Sequence, residues 1–237
     1  MFSPGPFFQA SWQAWRRFFT LSWQHHRLVQ ALVPIRSLGP RHAPRIQAHL
    51  QSLSPGDRYL RFGYAANDEQ IASYVQGLDF ERDEIFGIYN RRLELLAMAH
   101  LAFSVDPQFN SCAEFGVSVL APARGRGFGA RLFDRATMHA RNEGVSLMFV
   151  HALSQNTAML NIARRAGAKM VRDGPDSECH LRLPPADMDS RLTELFEEHM
   201  AQTDYHLKLQ ASQFRDLLKV VQEVRQGVRE ARNHPSP

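Results

Sequence analysis

Glu114-Phe115-Gly116-Val117-Ser118-Val119-Leu120-Ala121-Pro122-Ala123-Arg124-Gly125-Arg126-Gly127-Phe128-Gly129-Ala130-Arg131-Leu132 is the stretch whose reading decides the fold. Its β-branched and aromatic residues make Ala113–Leu120 the clearest strand in the chain. A short loop and a group of glycines follow, then a helix over Gly127–Asn142 that Gly144 closes. Glycine lets backbone amides come close to an anion because no Cβ stands in the way. The helix that follows adds its free N–H groups and the positive end of its dipole. Arg124, Gly125, Arg126, Gly127, Phe128, Gly129 and Ala130 therefore form a candidate cradle for a phosphate or pyrophosphate, with Arg126 offering a direct charge.

Three phosphate-binding motifs compete for this turn. A P-loop fails because no Gly-Lys-Ser/Thr follows. The dinucleotide fingerprint is met nominally by Gly125-x-Gly127-x-x-Ala130, but Leu120–Arg124 separate the strand from the first glycine. The next strand also ends in Phe149-Val150-His151, without the carboxylate that a ribose requires. The third motif is Arg-x-x-Gly-x-Gly, which Arg124, Gly127 and Gly129 complete.

Working outward, Val29–Arg36 reads as a strand and Pro44–Leu53 as a helix stopped by the Ser54-Pro55-Gly56 break. Asn67-Asp68 caps a helix carrying Ile71, Tyr74, Val75 and Leu78. Glu84–Tyr89 and Leu93–Phe103 form a strand pair joined at Asn90-Arg91-Arg92. Val145–Leu153 is a short, almost wholly apolar run, as an interior strand requires. Asn156–Arg165 reads as a second helix, and Ala168–Arg172 with Glu178–Leu183 as closing strands. Strands and helices in this order predict an α/β fold on a mixed sheet.

The Arg124-x-x-Gly127-x-Gly129 motif with its preceding strand resembles the signature of the GNAT superfamily of acyl-CoA N-acyltransferases. Asn156-x-x-Met159, followed by Ala163 and Gly167-Ala168, resembles the family's next segment. Val33-Pro34-Ile35-Arg36 resembles its first strand, and Arg58-Tyr59-Leu60-Arg61-Phe62 resembles a segment of bacterial protein-acetyltransferase-like members. The resemblance covers roughly residues 29–184 and implies a mixed, mostly antiparallel central sheet flanked by helices.

It implies a chemistry as well. Acetyl-CoA is the expected donor, with its pyrophosphate on the amides of Arg124–Gly129, its pantetheine along Val117–Val119, and Asn156 among the contacts. A backbone N–H near Val119 or Leu120 would polarise the thioester carbonyl. A primary amine is the expected acceptor, attacking directly. Glu114, at the start of the strand, is the expected general base. Relatives carry a tyrosine seven positions after the asparagine, as acid to the leaving thiolate. Here that position is Ala163, so another donor acts or the thiolate leaves unprotonated. His151 and Ser154 are lesser candidates. The missing tyrosine leaves a second reading open, a non-catalytic acyl-CoA-binding regulatory or assembly protein.

The ends lie outside the resemblance. Residues 1–28 form an aromatic helical extension, with Phe8, Trp12, Trp15, Phe19 and Trp23 on one helical stripe. Residues 29–185 make the acyltransferase domain, and 186–237 a C-terminal helical extension with an apolar seam from Leu207 to Val228. Both extensions are expected to pack on the domain or on a second copy, which leaves a homodimer open; the aromatic stripe also suits a membrane surface. No apolar run is long enough to span a membrane, and no secretory leader is expected. The net charge of +4 suits a polyanionic ligand, but no clustered basic arm marks a nucleic-acid binder. Only Lys169, Lys208 and Lys219 are lysines among the 28 basic residues. Cys112 and Cys179 make neither a disulfide framework nor a metal site, which fits buried thiols in a reducing cytoplasm.

Overall fold

The computed structural model describes residues 33–106, 109–173 and 176–233, and along the last turns of the final helix only the course of the backbone. The aromatic stripe of residues 8–23 lies outside the described residues.

Seven strands form one sheet in the order β1-β2-β3-β4-β5-β7-β6. They are β1 (Arg36–Ser37), β2 (Glu84–Tyr89), β3 (Leu95–Phe103), β4 (Cys112–Val119), β5 (Leu147–Leu153), β6 (Lys169–Asp173) and β7 (Asp176–Arg182). Every pairing is antiparallel except that of β4 with β5. This is the mixed, mostly antiparallel sheet expected from the sequence. The strand expected over Val29–Arg36 is only Arg36–Ser37 among the described residues.

Helices cover both faces. On one lie α1 (Ala43–Gln51), α2 (Pro55–Phe62) and α3 (Asp68–Gln76), with Ile46, Leu50, Ile71 and Val75 packed against Leu38, Ile85, Leu95 and Met98. On the other, α4 (Phe128–Asn142) sets Phe133 edge-on to Phe115 of β4, ring centroids 5.1 Å apart. α5 (Thr157–Arg165) follows β5, with the Asn156 side chain accepting from the Met159 amide as its cap.

α2 corrects the reading of Ser54-Pro55-Gly56 as a plain break. Those residues begin a helix. Ser54 is the N-cap and accepts from the Asp57 amide, Pro55 stands at the first helical position, and Gly63 ends it at φ 78°.

The pairing that positions the site is the short one. β4 and β5 meet only at Cys112–Leu147, Ala113–Met148 and Glu114–Phe149. Beyond Glu114 the two strands diverge, β4 staying paired to β3 out to Val119 and β5 to β7 out to Leu153. The result is a cleft that opens through the sheet.

After Pro184-Pro185 comes α6 (Met188–Asn233). Its first turns bind the domain through polar groups: Arg135 pairs with Glu194 (2.7 Å) and Glu198 (3.4 Å), and the Arg36 guanidinium lies 3.8 Å above the Tyr205 ring. Leu192, Leu195, Phe196 and Leu207 on the same helix are exposed. The seam beyond Leu207 falls where the side chains are not described. Cys112 and Cys179 are free and buried, and no described helix is long and apolar enough to cross a membrane.

Candidate active site

Two cavities occupy the cleft and share Leu60, Arg61, Val117, Asn156 and Met159 on their walls. The first, about 370 Å³, runs from the Arg124–Ala130 turn along Val117, Ser118 and Val119. The second, about 440 Å³, holds Glu114, His151 and Glu178. The shared residues join them into one passage from turn to strand start.

The turn has the form an anion needs. Gly125 and Gly127 take φ 76° and 74°, a left-handed backbone that disfavours side chains, and a Cβ at either would meet nothing within 4 Å. The first intrahelical bond of α4 runs from the Arg131 amide to the Gly127 carbonyl, and no side chain caps the helix. The amides of Phe128, Gly129 and Ala130 therefore have no acceptor within the helix and open on the first cavity. Gly129 has a packing role too, since a Cβ there would stand 3.3 Å from Ile162 Cδ1 of α5.

The two arginines of the motif divide. Arg124 lines the first cavity, but its guanidinium pairs with Asp57 of α2 and its Nε donates to the Val119 carbonyl (3.4 Å). Burial acts to raise the Asp57 pKa, yet hydrogen bonds from Ser54 and Arg124 outweigh it and hold the carboxyl below its usual range. Arg126 is absent from both cavity walls. It stands exposed at the rim, its guanidinium 6.0 Å from the Phe128 ring centroid.

Backbone alternation decides which amides of β4 face the cleft. Leu120 donates to the Leu96 carbonyl and Ser104 to that of Cys112, so the even-numbered residues of β4 bond to β3. Val117 and Val119 turn their N–H and C=O groups the other way, toward the gap left by β5. The Leu120 amide, one of two expected to polarise a thioester, is thereby excluded. The Val119 amide faces the cleft.

Side chains alternate likewise, so Glu114, Gly116 and Ser118 share the face covered by α1–α3. Glu114 is exposed in the second cavity. The Ser118 hydroxyl meets His49 of α1, whose Nδ1 lies 2.8 Å from the Leu95 carbonyl and whose Nε2 lies 2.8 Å from Ser118 Oγ. A carbonyl only accepts, so Nδ1 carries the proton and Ser118 donates to Nε2. Burial first, and the Arg61 charge as well, lower the His49 pKa to about 4, in keeping with a neutral ring.

Sequence reasoning did not reach a four-residue chain behind Gly116. The Asp83 side chain is 2% exposed and is held by Arg82 (2.7 and 2.9 Å) and by the Phe103 amide. His100 Nε2 donates to Asp83 (3.0 Å), so its Nδ1 accepts from the Tyr74 hydroxyl (2.8 Å), and that oxygen accepts from Arg61 Nη2 (2.9 Å). Every proton in the chain has one place. The far end is the Arg61 guanidinium, lying against Gly116: a Cβ there would stand 2.8–2.9 Å from its Cζ and both Nη atoms.

Of the lesser candidates, His151 is exposed in the second cavity, 3.8 Å from Glu178, while Ser154 bonds to Ser177 (3.0 Å). Ala163 is fully buried on α5 and lines neither cavity. Among the described residues no cluster of His, Cys, Asp and Glu is placed to hold a metal ion.

A mostly antiparallel sheet split between one parallel strand pair, with a glycine turn leading into a helix beside the split, defines an acyltransferase architecture of the GNAT type. The family model described as "Acetyltransferase (GNAT) family" matches residues 15–168, well over half of the chain, and the chain belongs to that family. Among solved structures it is similar to the GNAT domain of S. lividans PAT (18% identity, TM-score 0.54, covering 63% of this chain and 89% of that one). It is also similar to an N-acetyltransferase from Staphylococcus aureus Mu50 (16%, TM-score 0.53, 63% and 98%). A third likeness is to yncA from Salmonella typhimurium, solved with its cofactor acetyl-CoA (15%, TM-score 0.50, 65% and 95%). At these identities the likeness is one of fold.

Proposed function

We propose that the chain moves an acetyl group from acetyl-CoA to a primary amine by direct attack. The observation that carries this reading is the passage through the sheet, with an anion-ready turn at one end and a carboxylate at the other. Family membership supports the donor. The open amides of Phe128, Gly129 and Ala130, with Arg124 beside them, suit a pyrophosphate. The cleft-facing edge of Val117 and Val119 suits the amide groups of a pantetheine arm, and Asn156 stands where the two cavities join.

In this reading the Val119 N–H donates to the thioester oxygen as negative charge develops there. Glu114 takes the proton from the ammonium, directly or through one water, and frees the nitrogen lone pair. The C–N bond forms, the attacking nitrogen gives its second proton to solvent water, the C–S bond breaks, and the thiolate leaves. With a thiol pKa of about 8.5 it does so without an obligatory acid, consistent with the lack of a phenol at Ala163. Residues 29–185 act as the catalytic domain, and the long helix α6 is an addition to it.

Purified full-length protein with acetyl-CoA and a broad amine panel tests the reading, by CoA release and product mass. Release of CoA in step with an acetylated amine is expected. Tight acetyl-CoA binding with no release to any amine would overturn it in favour of a non-catalytic acyl-CoA sensor, the reading that the buried Ala163 favours.

A further inference from the structure

We propose that the acceptor is an amino acid or a close relative, a small amine that also carries a carboxylate, and that Arg61 binds this carboxylate while the amine points to Glu114. The inference rests on the transferase reading above and names the substrate class for the same site.

The first ground is the state of Arg61. Arg58 and Arg135 are matched to carboxylates, Arg58 to Asp68 and Arg135 to Glu194 and Glu198; Arg36 and Arg45 have no ion pair among the described residues, but they lie at the Tyr205 ring and its hydroxyl and line neither cavity. Arg61 has no ion pair among the described residues. Its one hydrogen bond goes to a neutral phenol, and its Nε is buried without a partner. A buried donor left unmade is costly, and a cation without a counter-ion more so. Asp83, at the other end of the relay, is satisfied by Arg82, His100 and the Phe103 amide, and Asp57, one turn back on α2, is paired with Arg124. A ligand carboxylate supplies what the fold omits, and the planar guanidinium fork matches it with two parallel bonds.

The second ground is position. Arg61 stands on the walls of both cavities, where donor and acceptor must meet. It is held there: the relay through Tyr74, His100 and Asp83 fixes one edge of the guanidinium, and Gly116 gives it the space of a missing side chain. Holding a long side chain in one rotamer ahead of binding lowers the entropy lost when a ligand arrives.

The third ground is the opposite charge beside it. Glu114 lies two residues from Gly116 on the same strand face, about 7 Å along the strand. Glu178 lines the same cavity. A guanidinium and two carboxylates in one chamber complement a ligand bearing both signs. A plain polyamine would meet Arg61 as a like charge, and a plain acid would meet Glu114 so.

The experiment uses the full chain with acetyl-CoA and matched pairs of acceptors: glycine, β-alanine, 4-aminobutyrate and glutamine, each against its C-terminal amide. For at least one pair, kcat/KM for the acid should exceed that for the amide by about tenfold or more. Arg61→Gln should bring the acid down to the level of the amide, chiefly through KM, with acetyl-CoA affinity retained. Gly116→Ala keeps the arginine but displaces its guanidinium, and should weaken the same preference. Equal rates on acid and amide, or a preference that survives Arg61→Gln, overturn the inference and leave the transferase reading standing. So does a preference of Arg61 for a carboxylate on the acyl group, seen as succinyl-CoA used in place of acetyl-CoA. Absence of transfer to any amine overturns the transferase reading and this inference with it.

Discussion

Arg124 of the glycine turn and Asp57 of α2 form an ion pair that joins two walls of the first cavity. The pair holds the turn against α2, and it also places a carboxylate beside a site suited to a polyanion. Asp57→Asn keeps a hydrogen-bonding group for Arg124 and removes the negative charge. We expect acetyl-CoA to bind severalfold more tightly at low salt, with the gain shrinking as ionic strength rises, because partly exposed charges are screened. Calorimetry at two salt concentrations checks this. Weaker binding at both would mean that holding the turn matters more than the local charge.

Gly127 is the turn residue that opens α4. Its φ of 74° costs an L-residue roughly 1–2 kcal/mol, and the space above it is open to a ligand. Gly127→Ala should weaken acetyl-CoA about tenfold, and Gly127→Asp should abolish binding by adding charge as well as a side chain. Both variants should keep the wild-type circular dichroism spectrum. Unchanged affinity in folded Gly127→Asp would remove the turn from the cofactor site.

The local elements were legible because their signals are local. The β4–turn–α4 run announces itself through β-branched residues, glycines and a helical period, and Asn67 with Gln70 forms the capping box its sequence implies. What escaped depends on tertiary structure. The divergence of β4 from β5 after Glu114 is set by their partners β3 and β7, so no spacing in either strand encodes it. Choosing Val119 over Leu120 required the β3 register. Arg61 was hidden twice, since Ser54-Pro55-Gly56 resembles a loop breaker, and its partner Tyr74 lies 13 residues on, with His100, the next link, 26 residues beyond that. A closer reading of Ser54-Pro55-x-Asp57 as a capped helix start would have placed α2, though not what Arg61 meets.

Glu114 tests the chemistry. It sits where β4 leaves β5, exposed in the second cavity, with no hydrogen bond among the described residues to divert it. A general base contributes about 10²–10⁴-fold. Glu114→Gln keeps the shape and removes the basicity, so kcat at neutral pH should fall at least a hundredfold with acetyl-CoA affinity nearly unchanged. The deficit should shrink at high pH, where the amine arrives deprotonated. Normal turnover at neutral pH would pass the role to His151, Glu178 or an ordered water.

The attachment of α6 should depend on pH in a direction set by His139 and Glu194. His139 Nδ1 lies 2.5 Å from Glu194, which Arg135 and Asn142 also contact; Glu84 stands 4.0 Å from the other ring nitrogen, and the Phe86 and Phe103 rings flank it. Burial acts to lower the His139 pKa, but the hydrogen bond and charge of Glu194, with Glu84 and Glu143, outweigh it and leave the pKa raised. Burial acts to raise Glu194, but His139, Asn142 and Arg135 carry it down to about 2. A raised histidine stabilises the fold fully below its unfolded value of about 6.5 and loses that contribution as pH climbs through the folded value. A depressed carboxyl stabilises it fully above about 4.5 and loses that contribution as pH falls toward 2. Half-buried Glu84, its pKa raised by burial, works the other way: it costs stability as pH climbs above about 4.5 through its folded value. The pair should therefore contribute most between about pH 4.5 and 6.5. His139→Gln keeps a partner for Glu194 but does not titrate. Urea unfolding of both proteins across pH 4.5 to 9 should show wild type ahead at pH 5.5 and the gap closing as pH rises. A gap that is constant across the range would show that His139 acts there through packing alone.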